Sequence, residues 1–438
     1  MTQILPTNRA SEKPGTVHIA GLFFLRSMDL YLSERGACSM VLPHSALNQG
    51  QYEKWRTGRW GAATVALTAD LAWRTPWDLE PLKPNDFFPV PACVVHAQRT
   101  PNDATGLPHQ VERWAGTPGG ETTRSTTRRP SGGESPYGPR VLKGADIYPR
   151  CLFFVEETTA DTTFTAAGTR LFNPRRGSQD KKPWKNLSLV ELADSTVETA
   201  HVFDVHLGQT VVPFITLPPL QAVLPISPGT RIEQDVITHD VEPESLRQRT
   251  RTRWQTMNNL WNQNKRTSNK KTLLEQLDYL NKLSAQLAWQ RDDKERPFRV
   301  VYSSSGRPTA ALVENHKAVI DHTLYWVSCD TQAEAHYLLA VINSDVLRDK
   351  VKPFMPKGQF GARHVHKHLW KLPIPTYDAT DPTHAAVSQA GKNATQATQQ
   401  TLAGTTEAKG SVRSQLRFWL EESPEGRAVE ETVAHLIG

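Results

Sequence analysis

The stretch between Arg99 and Lys143 divides the sequence into two parts. It is rich in Thr, Gly, Pro and Arg and contains few apolar side chains, so it cannot bury a hydrophobic core of its own. We therefore predict a mobile linker or long loop over 99–143, with a globular region on either side. The 438 residues are enough for two or three domains, each with its own core.

The region before this linker alternates between helix and strand patterns. Apolar residues at helical spacing predict a helix over Val17–Leu32, and a short apolar run predicts a strand over Ala37–Leu42. The alternation predicts part of an α/β sheet over 17–98, which is too short for a complete doubly wound domain. A second helix and two further strands are predicted over Tyr52–Trp60, Thr64–Leu67 and Cys93–His96.

The region after the linker mixes strands and helices, which predicts an α+β domain over 144–378. A long helix pattern covers Thr272–Trp289, and Thr331 with Glu334 forms a capping box at the start of a helix over Thr331–Val346. Residues 379–438 are rich in Ala, Gln and Thr and predict a helical tail. The predicted strands are Cys151–Val155, Val211–Ile215, Arg299–Tyr302 and Thr323–Val327.

Composition predicts an intracellular, cytoplasmic protein without a membrane anchor. Residues 1–16 are polar and contain Pro, which predicts a disordered N-terminus rather than a signal peptide, and no apolar run is long enough to span a membrane. The net charge of +6 decides little by itself. The cysteines lie too far apart for a zinc site or a disulfide framework, which fits a reducing compartment: Cys38, Cys93, Cys151 and Cys329.

The positive charges fall in three stretches that also contain aromatic residues. Arg247–Lys271 holds eight basic residues and no acidic one, with Trp254 and Trp261 between them, and Lys350–Lys371 holds six Lys or Arg residues and no acidic one. In the third stretch five basic residues surround Trp184. Such stretches suit a nucleic-acid backbone, because each Lys or Arg that neutralises a phosphate releases a counterion. The alternative is a set of solvated faces.

We predict that these stretches contact double-stranded DNA. Gln359 and Arg363 lie in a turn-forming segment, and their side chains can read adenine and guanine edges, although a tight turn made for packing is the alternative. The alternating His364, His366 and His368 have no Cys or carboxylate nearby to complete a metal site. The predicted DNA-binding residues are Arg175, Arg176, Lys181, Lys182, Lys185, Arg249, Arg251, Arg253, Lys357, Gln359, Arg363 and Lys367.

The sequence shows few signs of catalytic chemistry. It contains no Walker-type phosphate loop, no Gly-x-Gly-x-x-Gly motif and no nucleophile elbow. Glu156 and Glu157 follow a predicted strand and are better explained as a surface pair on an edge strand than as part of a nuclease site. We therefore predict no catalytic, cofactor-binding or metal-binding residue in this chain.

Two segments of the first region resemble the adenine-specific methylases (N-6 DNA methylases) that accompany type I and type IIG restriction–modification systems. Gly-Leu-Phe-Phe-Leu-Arg at 21–26, followed by Gly-Ala-Cys-Ser-Met-Val-Leu-Pro at 36–43, is similar to the helix and strand after the family's catalytic loop. Phe-Pro-Val-Pro-Ala-Cys-Val-Val at 88–95 resembles the last strand of the catalytic sheet. The resemblance implies that this region is the C-terminal part of a Rossmann-like methyltransferase sheet.

Segments of the second region resemble the target-recognition domain of the same family. Its opening is matched by residues 148–150, 182–185 and 207–214. A helix ending in Asn343-Ser344, a Gly-rich turn at 358–363 and Leu-Pro-Ile-Pro at 372–375 follow in the family's order. The resemblance covers about two thirds of the chain and implies recognition of a DNA target for adenine methylation.

The chain also departs from this family at the residues that do its chemistry. Family members bind S-adenosylmethionine through a Gly-containing loop and hold the flipped adenine with an Asn/Asp-Pro-Pro-aromatic tetrapeptide. Neither is present; the one Asn-Pro pair, Asn173-Pro174, continues as Arg175 in a basic loop. Both motifs would precede Met1, so no catalytic residue can be carried over. We expect the chain to be inactive alone, with S-adenosylmethionine bound by an upstream-encoded catalytic methyltransferase subunit.

The predicted fold class is therefore α/β plus α+β, with a target-recognition domain and a helical tail after a partial methyltransferase sheet. The predicted function is the DNA target-recognition part of a split or truncated site-specific adenine DNA methyltransferase. Two alternatives stay open: a stand-alone DNA-binding remnant or regulatory module without activity, and a protein-interaction module whose basic faces are solvated. The DNA sequence recognised, an associated nuclease and the oligomeric state cannot be deduced from the sequence.

Overall fold

The chain forms two compact units in the computed structural model. Unit 1 lies within 1–134 and 349–364, and unit 2 lies within 135–348 and 365–438. The residues that the structure describes are 19–49, 52–57, 59–62, 65–82, 90–100, 105–117, 119–129, 133–158, 166–177, 179–227, 231–233, 236–238, 240–292, 296–355, 357–358, 361–362, 365–403 and 411–437.

Helices and strands are interspersed through the described part of the chain. The helices are α1 (Ile19–Tyr31), α2 (Glu53–Arg56), α3 (Arg150–Phe153), α4 (Gln248–Asn264), α5 (Leu273–Leu277), α6 (Lys282–Asp292), α7 (Gln332–Asn343), α8 (Asp345–Val351), α9 (Pro382–Ala403), α10 (Ser411–Glu422) and α11 (Pro424–Ile437). The strands are β1 (Ala37–Pro43), β2 (Arg59–Ala62), β3 (Val65–Asp78), β4 (Ala92–Arg99), β5 (Gln110–Gly116), β6 (Thr122–Arg128), β7 (Leu142–Lys143), β8 (Phe154–Glu157), β9 (Thr169–Pro174), β10 (Ser195–Glu198), β11 (Val202–His206), β12 (Leu220–Val223), β13 (Arg231–Glu233), β14 (Val236–Thr238), β15 (Phe298–Ser303), β16 (Ala310–Val313), β17 (Val319–Ile320), β18 (Leu324–Cys329), β19 (Lys357–Gly358) and β20 (Gly361–Ala362).

Unit 1 is built on a six-stranded sheet with the order β1-β4-β3-β5-β6, in which β2 also pairs with β3. The apolar spacing of α1 places Phe24 and Met28 in the core, where the Phe24 ring stacks on Trp73 at a centroid distance of 5.2 Å. Trp55 lies 4.4 Å from Trp73 in the same aromatic cluster. The predicted helix over 17–32 and the predicted strand over 37–42 correspond to α1 and β1.

The strand directions of unit 1 differ from the predicted Rossmann-like sheet. Such a sheet needs parallel neighbours joined by helical crossovers. The described strands of this unit pair antiparallel, except that β3 and β5 run parallel and meet at two positions, Trp77↔Glu112 and Asp78↔Arg113. The Rossmann-like arrangement predicted for 17–98 is therefore not found among these strands.

The linker predicted over 99–143 is wrong for residues 110–128. These residues form β5 and β6, which pair antiparallel and extend the sheet of unit 1. Val111 is buried, and Trp114 packs on Trp77 with ring centroids 5.5 Å apart. Threonine favours strands, but β6 has no buried face and therefore no apolar alternation from which a strand is recognised.

Unit 2 contains two larger sheets. The strand orders are β10-β9-β8-β12-β11-β17 and β16-β15-β18-β7, and the pairs are antiparallel except β11 with β17. Every residue of β18 is buried, as is β15 after Phe298, which is why both strands are mostly apolar and do not alternate with exposed polar residues; the buried Arg299 is an exception in β15. The chain thus mixes helices with several sheets, as the sequence predicted for its overall class.

The predicted tail forms α9, α10 and α11, which lie in unit 2 with the domain that precedes them. α9 lies so close to α7 at Gly391 that a Cβ atom there would be only 2.1 Å from the His336 carbonyl oxygen. The predicted boundary at 378 therefore does not separate two compact units. Residues 349–364, predicted within the target-recognition domain, lie in unit 1, and unit 2 begins at Ser135 rather than at 144.

Local predictions differ from the structure at three places. The helix predicted over 52–60 is only α2, and β2 begins at Arg59. The helix predicted over 272–289 is broken into α5 and α6, because Leu280 and Asn281 have positive φ values of 61° and 55°. Residues 211–215 form a turn rather than a strand, with the Val212 N–H donating to the Ile215 carbonyl oxygen at 3.1 Å.

Candidate nucleic-acid interface

The third basic stretch forms a loop, residues 175–186, that we call the basic loop. The carboxylate of Asp180 is buried and accepts hydrogen bonds from the backbone N–H groups of Arg150, Cys151 and Gly177 at 2.8, 3.0 and 3.2 Å. The Arg176 guanidinium donates to the Lys185 and Leu187 carbonyl oxygens at 2.9 and 2.5 Å. The loop is therefore fixed at both ends, and Lys181, Lys182 and Lys185 are among its exposed residues.

A buried ion pair lies behind the basic loop. The Arg150 guanidinium donates to the Asp321 carboxylate at 3.0 Å, and the Asp321 side chain is completely buried. Burial alone would raise the pKa of Asp321, but hydrogen bonding and charge from His322, together with Arg150 and Thr323, hold it below its usual range. A Cβ atom at Gly177 would lie 2.8 Å from the Arg150 Cδ, so the loop passes tightly over this pair.

Helix α4 carries the first part of the first basic stretch, and four of its six buried residues are apolar. Residues at helical spacing, among them Trp254, Met257 and Trp261, pack into the core. The Trp261 indole stacks on that of Trp184 in the basic loop, at a centroid distance of 5.3 Å and an interplanar angle of 10°. The structure therefore brings two of the three predicted basic stretches together.

The chain that leaves α4 adds basic side chains beside the basic loop. The Trp261 indole stacks on Trp184 of the basic loop and donates to the Lys271 carbonyl oxygen at 3.0 Å, which brings the segment after α4 back toward the loop. Burial and the charge of Asp180 raise the pKa of Tyr148, whereas the Lys181 backbone N–H and the charge of Arg266 lower it. Arg266 and Lys270 are exposed. Lys271 differs, because its ammonium lies 3.3 Å from the centroid of the Tyr279 ring. We call Lys181, Lys182, Lys185, Arg266 and Lys270 the basic surface. Arg266 and Lys270 are not among the DNA-binding residues predicted from the sequence, although their stretch contains eight basic residues.

The start of α4 is organised by Glu198. Its carboxylate accepts from the Arg249 and Thr250 backbone N–H groups at 3.1 and 2.8 Å, so the helix N-terminus already holds an anion. Burial would raise the pKa of Glu198, but the hydrogen bonds from Thr250 and Arg249 lower it. Arg249 and Arg251 expose their side chains, and the Arg251 guanidinium donates to the Glu244 carbonyl oxygen at 2.7 Å.

The prediction that Arg253 contacts DNA is wrong. Its residue surface is 3% exposed, and its guanidinium donates to the Leu192 carbonyl oxygen at 2.9 Å and to the Ser195 hydroxyl. Burial lowers its pKa to about 10. The charge of this arginine is therefore used inside the fold, on the same helix face as Trp254 and Met257.

The second basic stretch is described only in part. Gln359, Arg363 and His364 lie outside the described residues, and Lys357 begins β19, which pairs with β20. Lys367 is exposed in unit 2, and partial burial lowers its pKa. The His366 ring contacts the Tyr325 hydroxyl through Nδ1 at 3.2 Å. Arg175, from the third stretch, is half-buried, and its backbone N–H donates to the Phe154 carbonyl oxygen.

Unit 1 contains a further polar group that the sequence did not indicate. Ligand atoms of His44, Asp78 and Glu80 lie within 4.8 Å of one another, and among the described residues they are the one group that could hold a metal ion. Burial would raise the pKa of Asp78, but His44, the Glu80 backbone N–H and Arg113 lower it. The group lines a cavity of about 250 Å³. Asp78 and Glu80 lie together at the end of β3, but His44 lies in a 3₁₀ turn after β1, so the sequence spacing does not bring the three together.

Three strands of unit 1 lack the loop by which the resembled family holds S-adenosylmethionine. The resembled family holds this cofactor on a Gly-containing loop after a strand, but β1, β3 and β4 are followed by His-Ser-Ala, Leu-Glu-Pro and Thr-Pro-Asn. The cavity beside His44 is also lined by Arg113, Arg128 and Arg129, whose charges oppose a sulfonium cation. No methyl-transfer step is assigned to this chain. In the described part of the chain, no helix combines the length and apolarity needed to cross a bilayer.

Comparison with known proteins gives matches in structure but none in sequence. No protein-family model and no curated protein matches the chain. A solved structure of the type IIL restriction–modification enzyme MmeI in complex with DNA is similar with a TM-score of 0.45 and 9% identity, over 95% of this chain and 48% of that one. The type IIG restriction endonuclease BpuSI is similar with a TM-score of 0.29 and 11% identity, over 98% and 50%. The chain spans about half the length of these enzymes.

Proposed function

We propose that this chain is the DNA target-recognition part of a site-specific adenine DNA methyltransferase. The observation that carries the proposal is the basic surface: the basic loop and the end of α4 form separate stretches of sequence, and the Trp184–Trp261 stack joins them in unit 2. The basic surface has five exposed residues, of which Lys181, Lys182 and Lys185 lie on the fixed loop and Arg266 and Lys270 lie after α4. The sequence resemblance supplies the adenine-methylase role.

The rigid backbone beneath the basic surface favours contact with DNA over the alternative that these side chains are merely solvated. A solvated lysine needs no buried network beneath it, whereas Asp180, Arg150 and Asp321 fix the backbone that carries Lys181 and Lys182. Side chains on a fixed backbone lose less conformational entropy when they contact phosphates. The exposed face of Arg249 and Arg251 on α4 extends the same charge along the helix.

We further propose that S-adenosylmethionine and the target adenine are bound by a catalytic partner chain. This chain contains neither the Gly-containing loop nor the Asn-Pro-Pro-aromatic tetrapeptide of the resembled family. Target recognition and methyl transfer would then be divided between two polypeptides. The decisive assay is transfer of a labelled methyl group to duplex DNA with each chain alone and with both together.

The DNA-binding part is tested first, with a labelled duplex and fluorescence anisotropy at several salt concentrations. We expect the logarithm of the association constant to fall linearly with the logarithm of salt, by about 0.9 for each phosphate contact. Lys182→Ala combined with Lys185→Ala should weaken binding and reduce that slope by about 2. Lys317→Ala combined with Lys392→Ala removes the same charge from other exposed positions of unit 2 and should leave the slope unchanged. Equal effects of the two pairs would contradict the proposal.

A further inference from the structure

The ribbon formed by β5 and β6 has a feature that the core of unit 1 does not explain. The two strands pair at seven positions, from Gln110↔Arg128 to Gly116↔Thr122. β6 has the sequence Thr-Thr-Arg-Ser-Thr-Thr-Arg, and every position except Thr127 is exposed. A strand that buries neither face adds almost nothing to a hydrophobic core.

The base of this ribbon is firmly fixed. The Arg129 guanidinium donates to the carbonyl oxygens of Pro108, Leu47 and Leu107 at 2.8, 2.7 and 2.8 Å. β3 ends at Asp78, opposite Arg113, so β5 continues beyond its parallel neighbour from Trp114 onward. The ribbon continues for three pairs beyond Arg113; Trp114 there packs on Trp77, while Gly116 and the β6 residues Thr122, Thr123 and Arg124 are exposed.

The side chains of the ribbon suit the edges of base pairs. Thr and Ser hydroxyls both donate and accept hydrogen bonds, and an arginine can contact guanine bidentately. The side chains of Arg113 and Arg124 are 48% and 62% exposed. Between Gln110 and Arg128 three arginines stand against two glutamates; Glu112 lies 3.8 Å from Arg124, and Asp78 lies 3.7 Å from Arg113. The ribbon therefore carries a net positive charge.

We propose that the β5–β6 ribbon enters the major groove of duplex DNA and contributes to sequence recognition. The major groove admits a two-stranded ribbon, and neighbouring strands lie about 4.8 Å apart. Arginines on an edge strand also oppose the addition of another protein strand, which favours DNA as the occupant. This inference rests on the proposed function, and it adds a base-reading element in unit 1 to the phosphate-contacting surface of unit 2.

The test compares the full chain and its variants on two duplexes of the same sequence. One duplex carries glucosylated hydroxymethylcytosine, whose sugar fills the major groove at C5, and the other is unmodified. We expect the modification to weaken binding of the unaltered chain about tenfold or more, because a blocked groove excludes the ribbon. Arg124→Ala should weaken binding to the unmodified duplex about tenfold and should reduce the penalty of the modification.

The matched control is Arg26→Ala, an arginine of the same unit with a 55% exposed side chain that is paired with Asp29. The Arg26→Ala variant should bind both duplexes with the affinity of the unaltered chain. If Arg124→Ala and glucosylation have no effect while the Lys182/Lys185 double variant still binds weakly, the ribbon inference is overturned and the proposed function stands. If the unaltered chain does not bind the duplex even in dilute salt, both fail. Tighter binding to RNA of the same sequence would also overturn the ribbon assignment.

Discussion

The indole rings of Trp184 and Trp261 lie within 10° of parallel with centroids 5.3 Å apart, so the basic loop is attached to α4 through two buried side chains. The Trp261 Nε1–H donates to the Lys271 carbonyl oxygen at 3.0 Å, which draws the segment after α4 back toward the same point. The two tryptophans therefore align basic residues from two stretches and do not stack on bases themselves. In the sequence, aromatic residues between basic ones predict contact with nucleic acid, whereas in the structure these two tryptophans are buried.

Replacing Trp184 should destabilise unit 2 and weaken DNA binding together. Trp184→Ala removes a buried indole from the core and leaves a cavity, for which we expect a loss of about 3–5 kcal/mol in the free energy of unfolding. Trp184→Phe keeps a ring against Trp261 and should lose less. Urea unfolding measures both variants. Phe418→Ala, which truncates a largely exposed ring, should change the free energy by no more than about 0.5 kcal/mol. A Trp184→Ala value as small as this would show that the stack does not hold the loop.

Two arginines on α4 should respond oppositely to the same substitution. Arg253 is buried and donates to the Leu192 carbonyl oxygen, so Arg253→Ala should cost about 2–3 kcal/mol of stability, the range for hydrogen bonds to charged groups. Arg249 exposes its side chain, so Arg249→Ala should leave stability within about 0.5 kcal/mol but should reduce the salt slope of DNA binding by about 1. Denaturation and anisotropy on both proteins separate the two roles. A stable Arg253→Ala protein with a reduced slope would reverse the assignment.

The sequence predicted the parts of the fold whose signal is local. α1, β1, β15 and β18 occur where apolar spacing predicted them, and Thr331 caps α7 by accepting from the Glu334 N–H at 3.1 Å. The predicted capping box is not completed, because the Glu334 carboxylate accepts from the Asp330 backbone N–H at 2.5 Å, rather than from that of Thr331, and from the Arg140 guanidinium at 3.2 Å. That partner is nearly 200 residues away in sequence, so its effect on the cap is visible only in the fold.

The sequence predicts that the candidate site is positively charged, but it does not by itself show which of the basic side chains are exposed. A basic stretch shows that arginines are present, and the helical phase of α4 then decides that Arg253 faces the core while Arg249 and Arg251 face solvent. The helical phase of α4 can be predicted from the spacing of Trp254, Met257 and Trp261 in the sequence. The contact between Trp184 and Trp261 that joins the basic loop to α4 cannot be predicted in this way. β6 escaped prediction for a different reason, since a strand exposed on both faces has no apolar period.

Gly391 should not tolerate a side chain. A Cβ atom there would lie 2.1 Å from the His336 carbonyl oxygen, a distance that forces α9 away from α7. In an ordinary helix interior Gly→Ala stabilises by roughly 0.5–1 kcal/mol, so the intrinsic preference and the packing act in opposite directions. We expect packing to dominate, with a net loss of about 1–3 kcal/mol. Gly168→Ala is not a suitable comparison because of its positive φ, whereas Ala386→Gly at an exposed position of α9 measures the helix preference alone. A stabilised Gly391→Ala protein would mean that α9 does not pack on α7 in solution.

The buried His206 should make unit 2 less stable at mildly acidic pH. Burial and the charge of Arg299 lower its pKa from 6.5 to about 4, and its Nδ1 lies 3.1 Å from the Thr210 hydroxyl. Between these two pKa values the unfolded chain binds more protons than the folded one, so the free energy of unfolding decreases as the pH falls from about 6.5 to about 4. The loss due to this histidine should reach roughly 2–3 kcal/mol. Burial lowers the pKa of His201 and His336 as well, so the comparison must isolate one side chain.

His206→Gln provides that comparison, because glutamine does not titrate in this range. Urea unfolding at several pH values between about 4.5 and 7 should give the variant a shallower decrease in stability than the unaltered chain, whatever its stability at neutral pH. His109→Gln changes an exposed histidine of unit 1 and should retain the unaltered slope. Identical slopes for all three proteins would show that His206 titrates near its usual pKa in the folded chain. In that case the imidazole would have to reach solvent rather than remain 4% exposed beside Thr210.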